Sequence, residues 1–493
     1  MSLDLIAAHD PARPALWWDG RWYRYGELAQ RARRLASALA ALNVSKGDRV
    51  AILAHNHLAH IELVLAAPLL GFIYTPYNFR LSAAEQQALT AYLKPRLMLA
   101  DAQHLPLARS LGVEILPLAE YESWLASASD AARAICVDEL DTHMILLTGG
   151  STGLPKGAMI SYRQVHANCA STAAGWGLTP DDCAIKATPC FHAALNVFVT
   201  PLLKLGGRVM LMREFEAGAY LGLAGELGAT VLFMVPTMYQ MLAEHPRFAA
   251  ADLRQVRWAI SGGAPCPPPV RAPYAARGIR FKQGYGMTEA GVNCFAIGLD
   301  EAEQHPDAVG RPLPGTQAVI RRADGSACAV GEVGELTLSG PHVCKGYFER
   351  EAEWSKVHRD GWLWTGDLAR ADAQGLFRIV GRSKEMYISG GENVYPAEVE
   401  AALSQCAGVA ECAVLGVSDE KWGEVGLAAV VMKPGCANDE AALRAELRQR
   451  LAGYKVPRAY FFLPALPKSG AGKILKPELR KLYDNHRTHL QSA

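Results

Sequence analysis

Near-continuous apolar runs alternate along most of this chain with apolar stretches of helical length. Arg49-Val50-Ala51-Ile52-Leu53-Ala54 has the character of a strand buried on both faces, and Ala59 to Leu70 follows as an apolar helix. Val209 to Met212 and Val231 to Val235 repeat the strand pattern, separated by the helix-like Tyr220 to Leu227. This alternation predicts α/β layers with largely parallel sheets. After about Gly310 the texture changes. Short runs such as Gly334-Glu335-Leu336-Thr337-Leu338-Ser339-Gly340 predict a smaller antiparallel or barrel-like β part. Gly381-Arg382-Ser383-Lys384 is a polar break after the strand Leu376 to Val380, and the pattern then resets. Pro396 suits the first position of a helix running through Leu403. Val409 to Val417 reads as a strand, Glu440 to Leu451 as a helix, and Tyr460 to Leu463 as a strand. The expected organisation is a large domain over residues 1–381, a hinge at 382–384 and a small α+β domain over 385–493.

Composition narrows the class of function. Lys and Arg number 50 against 49 Asp and Glu, so a globally basic nucleic-acid surface is not expected. The apolar stretch Ile61 to Tyr74 is too short, and too interrupted by Glu62, Pro68 and Gly71, to span a bilayer. The start of the chain has no basic n-region of a signal peptide. The 11 cysteines form no CxxC pair and no zinc spacing, which reads as reduced thiols of a cytoplasmic protein.

The candidate chemistry sits in loops. Thr148-Gly149-Gly150-Ser151-Thr152-Gly153-Leu154-Pro155-Lys156-Gly157 follows the strand Met144 to Leu147. Its glycines let backbone N–H groups converge on an anion, and its hydroxyls and Lys156 add donors and charge. It is not a Walker A loop. It formally matches the G-x-S-x-G elbow of serine hydrolases through Ser151, but Pro155 and Gly157 break the helix that such an elbow enters. Gln283-Gly284-Tyr285-Gly286-Met287-Thr288-Glu289 offers an aromatic face for a purine and a hard carboxylate suited to magnesium, or else a helix start capped by Thr288. Ser261-Gly262-Gly263-Ala264-Pro265 lacks bulk, so a flat ring could lie against its backbone. Asp367 could accept ribose hydroxyls and Arg382 could hold a ribose or phosphate oxygen; as bare residues they are a surface ion pair. His192 is an isolated histidine, Ser389-Gly390-Gly391 reads as a hairpin turn, and Lys473 lies on a basic loop with two glycines.

In order along the chain, these segments resemble the adenylate-forming enzymes, the superfamily of acyl-CoA synthetases, firefly luciferase and peptide-synthetase adenylation domains. The first loop is similar to T-S-G-T-T-G-x-P-K-G, with Gly149 for Ser and Ser151 for Thr. Tyr285 to Glu289 resembles Y-G-x-T-E, Thr365-Gly366-Asp367 the T-G-D segment, and Gly381 to Lys384 the G-R-x-K segment. Gly390 to Val394 resembles G-G-x-N-[VI], and Pro467 to Ile474 resembles P-x-[ST]-x-x-G-K-[IL]. Asn78-Phe79-Arg80-Leu81-Ser82 is similar to N-P-R-L-[ST], with Phe79 in place of Pro. The resemblance implies an acyl-CoA synthetase that uses ATP, magnesium (Mg2+) and CoA. It implies nucleotide contacts at Thr148, Gly149, Gly150, Ser151, Thr152, Gly153, Lys156, Gly262, Gly263, Ala264, Gln283, Gly284, Tyr285, Gly286, Met287, Asp367, Ile379 and Arg382. Thr288 would touch the α-phosphate, Glu289 and Thr148 would hold magnesium, and Lys473 would be the mobile cation of adenylation. Ser389, Gly390 and Gly391 would line the pantetheine tunnel, and Lys384 would be the pivot of a mobile C-terminal domain.

By the same resemblance, His192 gates the carboxylate pocket, and Ala193, Ala194, Met238, Gly284, Gly291 and Val292 line it. Small residues without charge imply an uncharged apolar acid, medium-chain or aryl; the segment Gln283 to Gly291 also looks like that of hydroxycinnamate ligases. A carrier-protein pantetheine in place of CoA stays open, as does a homodimer. A serine hydrolase acting through Ser151 is the distant alternative.

Overall fold

The structure is a computed structural model that describes residues 5–6, 8–131, 137–148, 155–468 and 474–491. Two mostly parallel sheets form its body. One has six strands in the spatial order Glu114–Pro117, Leu97–Ala100, Arg49–Leu53, Ile73–Pro76, Thr142–Thr148 and Lys156–Ser161. Its neighbours are parallel except the last pair, which is antiparallel. The other has seven strands, ordered Phe281–Gln283, Trp258–Ser261, Val231–Met234, Cys183–Lys186, Arg208–Leu211, Pro14–Trp18 and Arg21–Arg24, with only the last pair antiparallel.

The largest core cluster draws on both sheets, through Val50, Ile52 and Met144 from one and Leu16, Val209 and Val231 from the other. Helices Leu58–Leu70 and Leu195–Leu205 contribute to the same cluster. That position explains why Leu58–Leu70 is apolar all round: it has almost no solvent face. Its one carboxylate, Glu62, is fully buried. Arg31 binds it, and the Tyr121 hydroxyl donates to it at 2.5 Å. The Arg31 guanidinium also reaches Glu122, at 2.7 Å, so three helices meet on one charge network. Among the described residues, no helix is long and apolar enough to cross a membrane.

The change of texture after Gly310 corresponds to a five-stranded antiparallel sheet. Gln317–Arg321, Gly334–Ser339, Trp362–Ala371 and His358–Arg359 pair in that order, and Phe377–Arg382 joins along Trp362–Ala371. A single 3-10 turn, Ser383–Glu385, then leads to a last sheet of Glu392–Val394, Tyr387–Ser389, Gly423–Met432, Val409–Asp419 and Ala459–Phe462. Helix Pro396–Leu403 has its proline at the first position, as the sequence predicts. The two core clusters of this C-terminal part draw only on residues from Tyr387 onward.

Removing the positive partner of Glu62 strands a buried carboxylate. Arg31→Met is expected to destabilise the protein by about 3–5 kcal/mol, read as a lowered urea midpoint at unchanged slope. A loss below about 1 kcal/mol would mean that Tyr121 alone suffices for Glu62.

Candidate active site

Three of the segments singled out in the sequence begin at the carboxyl ends of strands with parallel neighbours, at Thr148, Ser261 and Gln283, where open α/β sheets place their ligands. Thr148 ends strand Thr142–Thr148, half-buried and paired in register with Lys156. The segment after the loop is the antiparallel strand Lys156–Ser161, so the strand–turn–helix of a hydrolase elbow is absent here. Gly149, Gly150, Ser151, Thr152, Gly153 and Lys473 lie outside the described residues.

Glu289 sits in a 3-10 turn, Thr288–Ala290, and is 7% exposed. Met287, rather than Thr288, precedes the turn in the capping position, and it makes no side-chain cap. The Tyr347 hydroxyl donates to Glu289 Oε1 at 2.9 Å, and Lys156 Nζ lies 4.9 Å from the centre of the Tyr347 ring. Lys156 also pairs with Glu353 at 3.0 Å, and this hydrogen bond holds the Glu353 carboxyl below its ordinary range. Burial, with the nearby Glu289 charge, raises the Tyr347 phenol far beyond neutral pH, so it acts as a donor. Glu289 fits a hard divalent cation: it is an oxygen donor, buried and held in one orientation, and magnesium takes one or two such carboxylates. Tyr347 and Glu353 were not anticipated from the sequence. Tyr347 is 58 residues from Glu289, and nothing local marks it.

A second cluster forms where Asp367 and Arg382 face each other across adjacent strands. Arg382 Nε donates to Asp367 Oδ1 at 3.0 Å, and the Tyr285 hydroxyl donates to Asp367 Oδ2 at 2.6 Å. Tyr285 therefore meets the carboxylate expected to hold a ribose. Burial, then the Asp367 charge, raises its pKa strongly and keeps it protonated. Ile379 and Met287 pack in the same apolar cluster as Tyr285.

Gln283 ties the neighbouring loop down: its Nε2 donates to the Cys266 carbonyl at 3.2 Å. Gly262 and Gly263 begin that loop beside Ala264; a Cβ on Gly262 would press to 3.0 Å on Phe233, and Gly263 has φ +82°. Gly284 is tight against Ile260 and the Ser261 carbonyl, both 3.2 Å from an added Cβ. At Gly286 a Cβ would collide with the Val292 carbonyl.

Beside Thr288 lies a small cleft lined by Ala193, Gly291 and Val292, together with Gln164, Asn168 and Asn196. Of the expected acyl-site residues, Ala194 lines a neighbouring cavity with Phe198 and Phe233. Met238, on helix Pro236–Glu244, is buried in a core cluster. His192 is half-buried against Phe191, with ring centres 4.4 Å apart, and Phe191 in turn packs on Phe79 at 5.2 Å. The sequence reading also missed Lys186, a buried cation in the second cavity; burial lowers its pKa to about 8. Its ammonium donates to Thr188 Oγ1 at 2.6 Å and to the Pro189 carbonyl at 3.2 Å.

In the C-terminal part, Lys384 is exposed on the 3-10 turn. Gly390 (φ +60°) and Gly391 (φ +87°) form the two-residue turn between Tyr387–Ser389 and Glu392–Val394, where left-handed backbone calls for glycine. Ser389 is buried and Gly391 exposed; a Cβ on Gly391 would touch nothing within 4 Å. The structure does not bring Gly391 to the cluster around Glu289.

Comparison with known proteins returns one family throughout. The model described as AMP-binding enzyme matches residues 3–348, and the AMP-binding enzyme C-terminal domain matches residues 398–473. The chain is 40% identical to a feruloyl-CoA synthase of Amycolatopsis over 97% of both chains. It is 32% identical to the long-chain-fatty-acid–CoA ligase FadD13 of Mycobacterium tuberculosis over 93% of both. ATP-bound MatB from Rhodopseudomonas palustris superposes with a TM-score of 0.89 at 31% identity, covering 98% of this chain and 99% of that one.

Two variants probe the site. Gly286→Ala is expected to abolish nucleotide binding, because the Val292 backbone cannot yield to a methyl group. Tyr285→Phe is expected to weaken ATP binding roughly tenfold, through loss of one hydrogen bond to a carboxylate. Calorimetric titration with ATP checks both; unchanged affinity in Tyr285→Phe would detach Asp367 from the nucleotide.

Proposed function

The chain belongs to the AMP-binding enzyme family, and on that premise we propose that it joins an uncharged aromatic or medium-chain carboxylic acid to CoA through an acyl-adenylate. That it is an acid–CoA ligase driven by ATP follows from its relatives; the acid class is our reading. The observation that carries it is the uncharged cleft lined by Thr288, next in sequence to the Glu289 that Tyr347 holds. The 40% identity to a feruloyl-CoA synthase tips the choice toward an aryl acid.

A carboxylate at neutral pH is a poor electrophile, because its leaving group would be oxide or hydroxide. In the proposed first step a carboxylate oxygen attacks the α-phosphorus of ATP, and the bond to pyrophosphate breaks. In the second, the CoA sulfur attacks the acyl carbon and AMP leaves. The first step brings two anions together, so the site must supply positive charge and alignment. Asp367 and Arg382 hold the ribose, Tyr285 fixes Asp367, and Thr288 meets the α-phosphate. Lys156 is released from Glu353 to the phosphates. Magnesium, held on Glu289 beside Thr148, would supply further neutralising charge. His192 stands at the entrance to the acid's cleft.

Lys473 and Gly391 belong to the C-terminal part, and we assign them to successive steps. The pivot is Lys384, between a body of residues 1–381 and a mobile part of 385–493. Separate cores on either side of a single exposed turn support this division. A cytoplasmic location fits the free thiols among the described cysteines.

Pyrophosphate release across benzoates, cinnamates and fatty acids from acetate to palmitate tests the acid class. An optimum among aryl acids is expected, and an optimum at palmitate would overturn it. Mass spectrometry of thioesters formed with CoA and with a holo carrier protein decides the acceptor; CoA is expected. Lys473→Ala should slow adenylation by roughly 10²–10³ yet transfer the acyl group from supplied acyl-adenylate. Gly391→Leu should do the reverse. Equal loss of both steps in either variant would contradict the division of labour.

A further inference from the structure

The cleft beside Thr288 is less apolar than its small residues suggest. Gln164 and Asn168 line it from helix Tyr162–Trp176, spaced i and i+4, which puts both amides on one face one turn apart. Each residue is 1% exposed. Gln164 is held at the helix start, where its backbone N–H donates to the capping Ser161 Oγ at 3.1 Å. Neither its side-chain nitrogen nor its side-chain oxygen has a hydrogen-bond partner. Asn168 spends its Nδ2 on the Asn196 carbonyl at 2.7 Å, and its Oδ1 is left unpaired. Three buried polar atoms therefore line one small cleft without partners, and leaving such groups unpaired is costly.

Their chemistry selects an occupant. The Gln164 amide offers two N–H donors and an acceptor oxygen, and Asn168 offers an acceptor. An alkyl chain would leave all three atoms unsatisfied. A second carboxylate brings only acceptors and needs a cation, and no charged side chain lines the cleft among the described residues. A hydroxyl group donates once and accepts once, which answers Gln164 Nε2 together with either amide oxygen. We propose that Gln164 and Asn168 are specificity-determining residues that receive a hydroxyl substituent on the acid, so that the enzyme's substrate is a hydroxylated aryl acid. This rests on the ligase reading above and narrows it.

The test uses matched acids on the full-length enzyme, with kcat/KM from pyrophosphate release. Suitable pairs are cinnamate with 4-hydroxycinnamate, 3-phenylpropanoate with its 4-hydroxy form, and benzoate with 3- and 4-hydroxybenzoate. In at least one pair the hydroxylated acid should lead by about 10- to 100-fold, since its absence leaves buried amides unpaired. Gln164→Leu and Asn168→Leu should each bring that ratio toward one, with folding checked by an ATP-induced rise in melting temperature. Ratios within about threefold in every pair of the unsubstituted enzyme would mean that water satisfies the amides, and would overturn the proposal. A ratio that survives in both variants would do the same. Release with no acid at all would overturn the ligase reading itself, a result distinct from release without preference.

Discussion

The site depends on how residues 344–348 are sewn into two other segments. Cys344 N–H donates to the Glu289 carbonyl at 2.7 Å. Next along the chain, Met159 N–H donates to the Gly346 carbonyl at 2.9 Å, Lys345 N–H donates to the Met159 carbonyl at 3.1 Å, and Phe348 N–H donates to the Gly157 carbonyl at 2.8 Å. The segment thus extends the Lys156–Ser161 strand on one side and grips the Thr288–Ala290 turn on the other. Tyr347 occupies the middle, and its side chain joins what the backbone has aligned: hydroxyl to Glu289, ring under Lys156. A carboxylate from one sheet's end and an ammonium from another's are held apart by one aromatic ring. Direct pairing of these two side chains would occupy the groups that the proposed roles of Lys156 and Glu289 require.

The same logic separates what was legible in the sequence from what was not. Strands such as Arg49–Leu53 and Val231–Met234 announce themselves because a parallel strand covered on both faces must be apolar at every position. The loops that follow them announce themselves because close backbone approach demands glycine, and Gly286 has no space for anything else. Asp367 and Arg382 could be suspected as a pair through two family-like segments, or as a bare ion pair, and the structure sets them in register.

Tyr347, Glu353 and Lys186 could not be found that way. Each acts through a partner fixed by tertiary packing, and a tyrosine or an acid on a surface segment carries no periodic signal. Met238, which family position nominates for the acyl site, is buried in a core cluster from its own helix. Phe79, standing where the superfamily has proline, is another local departure with a tertiary reason. Its ring packs between His55 at 4.4 Å and Phe191 at 5.2 Å, and so buttresses the segment that carries His192. Gln164 and Asn168 were visible only as two amides one helical turn apart; what they lack becomes apparent once burial and partners are known.

The polar groups of the site also bear on how tightly it can hold a nucleotide. Lys156 is paired with Glu353, and Arg382 with Asp367, before any ligand arrives. These carboxylates keep the cations from standing uncompensated in a partly buried cleft. With Lys156 in its proposed role, nucleotide binding is an exchange of partners rather than a bare gain of contacts, because a phosphate oxygen that reaches Lys156 must displace Glu353. Such an exchange lowers the net affinity, since only the difference between the two pairings appears in the binding free energy. For an enzyme that must release both pyrophosphate and AMP within each turnover, that restraint is useful. In the proposed roles, Lys156 supplies charge to the transition state, while Glu353 already in place competes for it with the phosphates of the ground state.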